Sequence, residues 1–137
     1  MNLRTLLPLL ALFLSLPWLH AQDKTAPAVE AARAWLALVD AGEYAKSWKE
    51  TAPLFQEKVK EADWVKMVAA VRDPLGAVSK RTQIAAQYAT FLPGAPEGEY
   101  VVIQFLTDFA KKTGAVETVT PMKDPAGNWK VSGYYIK

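Results

Sequence analysis

The chain has no cysteine, and its one histidine, His20, lies inside an apolar N-terminal run. The part that folds therefore lacks both residue types. That removes Cys–His and Ser–His–Asp catalysis, together with the ordinary zinc, copper, haem and iron–sulfur sites. No cofactor and no metal are expected. Carboxylates, lysines, tyrosines and hydroxyls remain. Among them Asp108 stands out, because it sits in the strongly apolar stretch Tyr100–Ala110 beside Leu106. Desolvation there would raise its pKa and suit it to general-base work in an isomerase or hydrolase that also uses a tyrosine. The plainer reading puts Asp108 on an outer sheet face near a strand end, paired with a lysine, and its position favours that.

Aromatic residues are the other candidates. Trp35, Trp48, Trp64 and Trp129 are many for so short a chain. Each falls on the apolar side of its element, so core packing is the first expectation. Trp48, Trp64, Tyr88 and Tyr134 are nevertheless retained as weak ligand-binding candidates, since large aromatics also line apolar pockets. Alternation from Trp129 places Tyr134 on the face of Lys130 and Ser132, with Tyr135 turned inward beside Val131. The pairs Lys80-Arg81 and Lys111-Lys112 fit strand-edge protection better than an anion site. No phosphate-binding, dinucleotide or calcium-loop motif is present.

The elements that must position these residues divide at Gly76. Residues 1–21 carry Arg4, an apolar run from Leu6 to Leu16 and a Leu-His-Ala ending, which is the pattern of a secretory signal cleaved after Ala21. The run is too short, and too interrupted by Pro8 and Pro17, to serve as a stable membrane anchor. Residues 22–26 form a polar leader, and 27–137 one α+β domain. A periplasmic or secreted location follows. Net charge is +2 at pH 7 with no basic block, so no nucleic-acid surface is indicated.

From Pro27 apolar residues recur at helical spacing. Ala28, Ala31, Ala32, Trp35, Leu38 and Val39 give a first helix, Tyr44 and Trp48 a second that Pro53 ends or restarts, and Trp64, Met67, Val68 and Val71, read as inward, a third over Glu61–Arg72. After Gly76 the period becomes two. Val78, Thr82, Ile84, Ala86 and Tyr88 are read as the inner face of a long strand bulged at Ala85-Ala86. Tyr100–Ala110 is the central strand, with Val101, Ile103, Phe105, Thr107 and Phe109 inward. Ala115–Lys123 and Trp129–Ile136 complete a four-stranded antiparallel meander. The outer face carries Val102 and Leu106, apolar enough that a homodimer through it is expected.

The segments Ala34–Tyr44, Ala52–Phe55, Val71–Gly76 and Gly127–Tyr134 together resemble the bacterial family catalogued as domain of unknown function four-zero-one-nine. That resemblance implies a family and no assigned activity. By analogy of layout, three helices on a curved sheet are similar to the cystatin-like or nuclear-transport-factor-two-like half-cone. The expectation is a small non-enzymatic domain that binds a small apolar ligand or an envelope protein. The alternatives are the cofactor-free enzyme above and a structural accessory subunit.

Overall fold

The computed structural model describes residues 24–137, so the apolar N-terminal run with His20, the cleavage site after Ala21, and Gln22 and Asp23 lie outside the described residues. Among the described residues four α-helices precede four strands: α1 (Ala26–Asp40), α2 (Tyr44–Lys49), α3 (Pro53–Lys58) and α4 (Glu61–Arg72), then β1 (Val78–Ala89), β2 (Tyr100–Phe109), β3 (Lys112–Lys123) and β4 (Trp129–Ile136). A single 3-10 turn, Asp73–Leu75, links α4 to β1. Three helices were expected. The second divides because Thr51 and Ala52 leave the helix to join the edge of β4, where the Ala52 N–H donates to the Val131 carbonyl at 2.8 Å. Pro53 then starts α3 without needing an N–H partner.

The sheet is the expected meander, in the order β1-β2-β3-β4 with every pairing antiparallel. Helix α1 lies across β2, β3 and β4. Its Ala28, Ala32, Trp35, Leu36 and Val39 meet Val101, Ile103, Phe105 and Val119, and Trp64 and Val68 of α4 extend the same core. β2 alternates as expected, with Val101, Ile103, Phe105, Thr107 and Phe109 all buried.

Two strands carry an extra residue that reverses the reading of one half. In β1, Gln83 pairs with Phe105 and Ala85 with Gln104, so Ile84 is the bulged residue, one position before the Ala85-Ala86 pair. Ala86 and Tyr88 keep the expected inward side. Before the bulge, however, Arg81 pairs with Thr107 on the core side, while Thr82 pairs with Leu106 on the outer side and is exposed. In β4, Gly133 pairs with Thr120 and Val131 with Pro121, which leaves Ser132 as the extra residue. Tyr134 therefore turns inward with Val131, and Tyr135 is half exposed, the reverse of plain alternation.

Candidate functional site

Glu117 is the chemical centre of the molecule. It alternates with Ala115 and Val119 on the core face of β3 and is fully buried. A lone carboxylate there would be too costly to ionise, so every oxygen needs a donor. Oε1 accepts from Thr107 Oγ1 at 2.5 Å and from Arg81 Nε at 2.7 Å. Oε2 accepts from the Tyr134 hydroxyl and, at 3.3 Å, from Arg81 Nη2. The two bulges make this possible, because they deliver Arg81 and Tyr134 to the side of the sheet that Thr107 and Glu117 already share.

A second carboxylate closes the network. Asp40, the last residue of α1, takes Arg81 in a two-pronged contact, with Nη1 to Oδ2 at 2.7 Å and Nη2 to Oδ1 at 2.9 Å. Its Oδ1 also accepts from Arg72 Nη2 at 2.7 Å. Arg72 reaches back toward the Tyr134 oxygen at 3.4 Å and lies over the Phe109 ring at 5.0 Å. The planar fork of arginine suits such bidentate pairing, which a lysine could not reproduce. Two arginines thus face two carboxylates, and the charges balance inside the fold.

The protonation states follow from this geometry. Burial alone would raise the Asp40 carboxyl; its hydrogen bonds to Arg81 and Arg72 outweigh that and hold the pKa below its ordinary value. Burial disfavours the charge on Arg81, but Asp40 and Glu117 more than offset it and keep the guanidinium firmly protonated. Burial pushes the Tyr134 hydroxyl up, the Glu117 charge adds to it, and Arg72 cancels only part. Tyr134 is therefore a neutral donor throughout the ordinary pH range.

Open space lies beside the network rather than at its centre. A cavity of about 430 Å³ is walled by Asp40, Tyr44, Arg72, Asp73 and Gly76 and touches the outer end of the network; Glu117 is not among its walls. A broader groove of about 770 Å³ runs between the start of α1 and β1, past Glu30, Arg33 and Gln83. A third, about 200 Å³, lies between α4 and the end of β4. Trp64, Met67, Val68, Val71, Tyr134 and Tyr135 line it, and Met67, Val71 and Tyr135 are half exposed. Among the described residues no group of three or more His, Cys, Asp or Glu side chains is placed to hold a metal ion.

The residues singled out from sequence are scattered. Asp108 is on the outer face near the hairpin, where Oδ1 accepts the Gly114 N–H at 2.7 Å instead of a lysine. Trp48 donates Nε1 to the Val59 carbonyl at 2.8 Å. Trp64 is buried in a ring cluster, 5.9 Å from Trp35 and 5.3 Å from Phe55. Tyr88 donates its hydroxyl to Glu99 at 2.9 Å, with the Lys24 ammonium 5.1 Å from its ring centre. Only Trp64 and Tyr134 come together, at the small apolar groove. Glu117, Arg81, Asp40 and Arg72 were missed. One signal for Glu117 was available: a carboxylate in phase with Ala115 and Val119 on an apolar strand face must have a buried partner.

No curated protein and no solved structure matches the chain. A family model, described as protein of unknown function (DUF4019), matches residues 31–134. That span takes in the last two-thirds of α1, the whole ionic network and all four strands down to Tyr134, and on that match the chain belongs to the DUF4019 family.

Proposed function

We propose that this is an exported, non-enzymatic binding domain, cleaved after Ala21, that takes an apolar ligand or the apolar side chain of an envelope protein partner in the groove between α4 and β4. On this reading the curved sheet and its helices make a half-cone of the cystatin-like or nuclear-transport-factor-two-like kind, with its polar interior closed by its own ion pairs. The observation that carries the proposal is the exposure of Met67, Val71 and Tyr135 together around one concavity whose floor is Trp64 and Val68. Contiguous apolar surface around a hollow is costly to leave wet and marks a place where something docks. Catalysis is disfavoured by the other half of the geometry, since the fully buried carboxylate has its oxygens occupied and none of the three cavities described above is walled by it.

Trp64 makes the groove testable. Titration with an environment-sensitive naphthalene sulfonate dye, followed by energy transfer from tryptophan, should give saturable binding at one site. Met67→Arg and Val71→Arg should each weaken it at least tenfold, while Phe91→Arg, a change at an exposed apolar residue on the β1–β2 loop, should not. Saturable binding unchanged in both groove variants, or no saturable binding by the parent, would overturn the proposal.

A further inference from the structure

We infer that the groove between α4 and β4 takes an extended peptide of a partner protein, which adds to the free edge of β4 as a further strand. The inference rests on the groove reading above and names the occupant. Tyr134 and Ile136 share the core side of β4 with Val119 and Glu117 opposite them, and Tyr135 points the other way, yet all three wall the same cavity. Successive residues of a strand project from opposite faces, so a hollow that touches all three lies along the strand's edge and not over either face. A second hollow of about 370 Å³, walled by Leu54 and Phe55 of α3, Val59, Leu92, Ser132 and Gly133, borders the preceding stretch. Every residue from Ser132 to Ile136 thus adjoins open, largely apolar space, over roughly 15 Å at about 3.3 Å per residue.

The hydrogen-bond phase of β4 identifies the occupant. Lys137 and Val116 exchange both backbone bonds, at 3.0 and 2.9 Å. Such pairs alternate along an antiparallel ladder, so Tyr135 and Gly133 also bond toward β3, while the N–H and C=O of Tyr134 and Ile136 point away from it. Val131 faces the same edge beyond the Ser132 bulge: its carbonyl accepts from Ala52, and Thr51 bridges to it in parallel. The chain's own Thr51-Ala52 segment therefore already runs along this edge, until α3 leads it away at Pro53. Among the described residues no other group bonds to the backbone of Tyr134 or Ile136. An edge with unpaired backbone groups is a template for another strand.

A wholly apolar ligand lying there would strip water from these groups and return no hydrogen bond. A peptide backbone supplies a donor and an acceptor at the same two-residue repeat, and its side chains on one side meet Met67 and Val71 of α4. Charge fixes one end. Lys58 is the one charged residue among the walls of the two hollows; it stands at the Ser132 end, is exposed, and has no carboxylate partner among the described residues. The occupant is accordingly a β-forming segment, apolar at alternate positions, with an acidic side chain at the end that meets Lys58.

The probe is a phage-displayed library of random peptides about seven residues long, enough to span this stretch, panned against the chain from Gln22; the most enriched peptide is then synthesised and titrated. Enriched sequences should alternate apolar and polar residues and carry Asp or Glu at one end. Methylating the backbone nitrogen of alternate residues should weaken binding about tenfold at each, with little effect at the residues between. Ile136→Pro removes an outward N–H without touching the ladder to β3, a change that an edge position tolerates. It should abolish peptide binding and leave dye binding in place. Amide exchange needs no variant: Tyr134 and Ile136 should exchange fast in the free protein and slowly with peptide bound, whereas Tyr135 should be slow in both. No enriched peptide, binding indifferent to backbone methylation or to Val71→Arg, or bound peptide that leaves the Tyr134 and Ile136 amides unprotected would each overturn the inference. Dye binding that persists beside any of these results keeps the groove and rejects the added strand, whereas a parent that binds neither probe rejects both.

Discussion

The Tyr134 hydroxyl donates to Glu117 although the two are not opposite one another in the sheet: Tyr134 pairs with Val119, and Glu117 with Ile136. The contact is diagonal across β3 and β4, on the side that faces Trp35, whose ring meets the Tyr134 ring edge-on at 5.3 Å. The hydroxyl is thus held between an apolar wall and a buried charge. Its role is to complete the donor set of Glu117, and the network it belongs to ties the end of α1, the end of α4 and all four strands to one another.

Removing the carboxylate should therefore be among the most damaging single changes in the chain. Glu117→Ala leaves Arg81 with Asp40 alone and Thr107 and Tyr134 with hydroxyls that have lost their acceptor. Breaking a buried ion pair from one side costs about 3–5 kcal/mol. Urea unfolding monitored by tryptophan emission should show a loss of that order. Tyr134→Phe removes one hydrogen bond to a charged group and should cost about 1.5–3 kcal/mol. The double variant Glu117→Ala/Tyr134→Phe should cost clearly less than the sum of the two, since both act on the same contact.

The same pair sets the alkaline limit of stability. The native fold holds the Tyr134 proton because burial, then Glu117, raise its pKa, whereas the unfolded chain releases it near pH 10. The contribution is fully present below that pH and is lost as pH rises above it, by about 1.4 kcal/mol per unit for one proton. Tyr44 adds in the same direction, through burial and then its hydrogen bond to Asp73. Stability measured from pH 8 to 11 should fall more steeply for the parent than for Tyr134→Phe. On the acid side Asp40 has a lowered pKa, so its contribution is present at neutral pH and disappears as pH falls below about 4.

Gly76 governs the passage from helices to sheet. Its φ of 76° and ψ of −166° lie in a region open essentially to glycine, and an added Cβ would stand 3.1 Å from the Ala110 Cβ. Close approach is required here, because Leu75 and Ala77 on either side accept hydrogen bonds from Lys111 and Ala110 at 2.9 and 2.8 Å. Gly76→Ala should cost about 1–3 kcal/mol. Thermal unfolding should register it as a lower midpoint, with no such change for Gly94→Ala beyond its own turn strain, since nothing lies within 4 Å of that position.

What could be read in advance, and what could not, follows from chain geometry. β2 has a single irregularity, at its hairpin end, so a period of two assigned each of its inward residues from Val101 to Phe109 correctly. β1 and β4 each contain one added residue mid-strand, and a shift of one carries every later side chain to the other face. Arg81 and Tyr134 were misread for that reason alone, and with them went the network. The bulge in β4 had a visible cue in Ser132-Gly133, a glycine inside a strand. Nothing in the run from Arg81 to Ala86 distinguishes Ile84 from its neighbours as the added residue. Arg72 fell in the apolar phase of α4, four after Val68 and eight after Trp64, but its partner Asp40 is 32 residues away in sequence, and period alone does not find such pairs.

Ser47 supports the most specific stability prediction outside the network. It is fully buried in α2, and two tryptophans from different helices converge on it: Trp35 Nε1 donates to its carbonyl at 2.9 Å, and Trp64 Nε1 to its hydroxyl at 3.0 Å. The hydroxyl in turn donates to the Tyr44 carbonyl at 2.6 Å. Ser47→Ala keeps the backbone acceptor for Trp35 and strips Trp64 of its partner in a site that water does not reach. A buried donor left unmade costs about 1–3 kcal/mol, whereas a change that merely lost helix propensity would be neutral or favourable, since alanine is the better helix former. The sign of the effect therefore separates the two accounts. Urea unfolding should show Ser47→Ala to be destabilised, and Ser47→Thr, which retains a hydroxyl, should recover part of the loss. The emission of Trp64 should shift in the alanine variant alone, and an alanine variant as stable as the parent would mean that the Trp64 N–H has no need of Ser47.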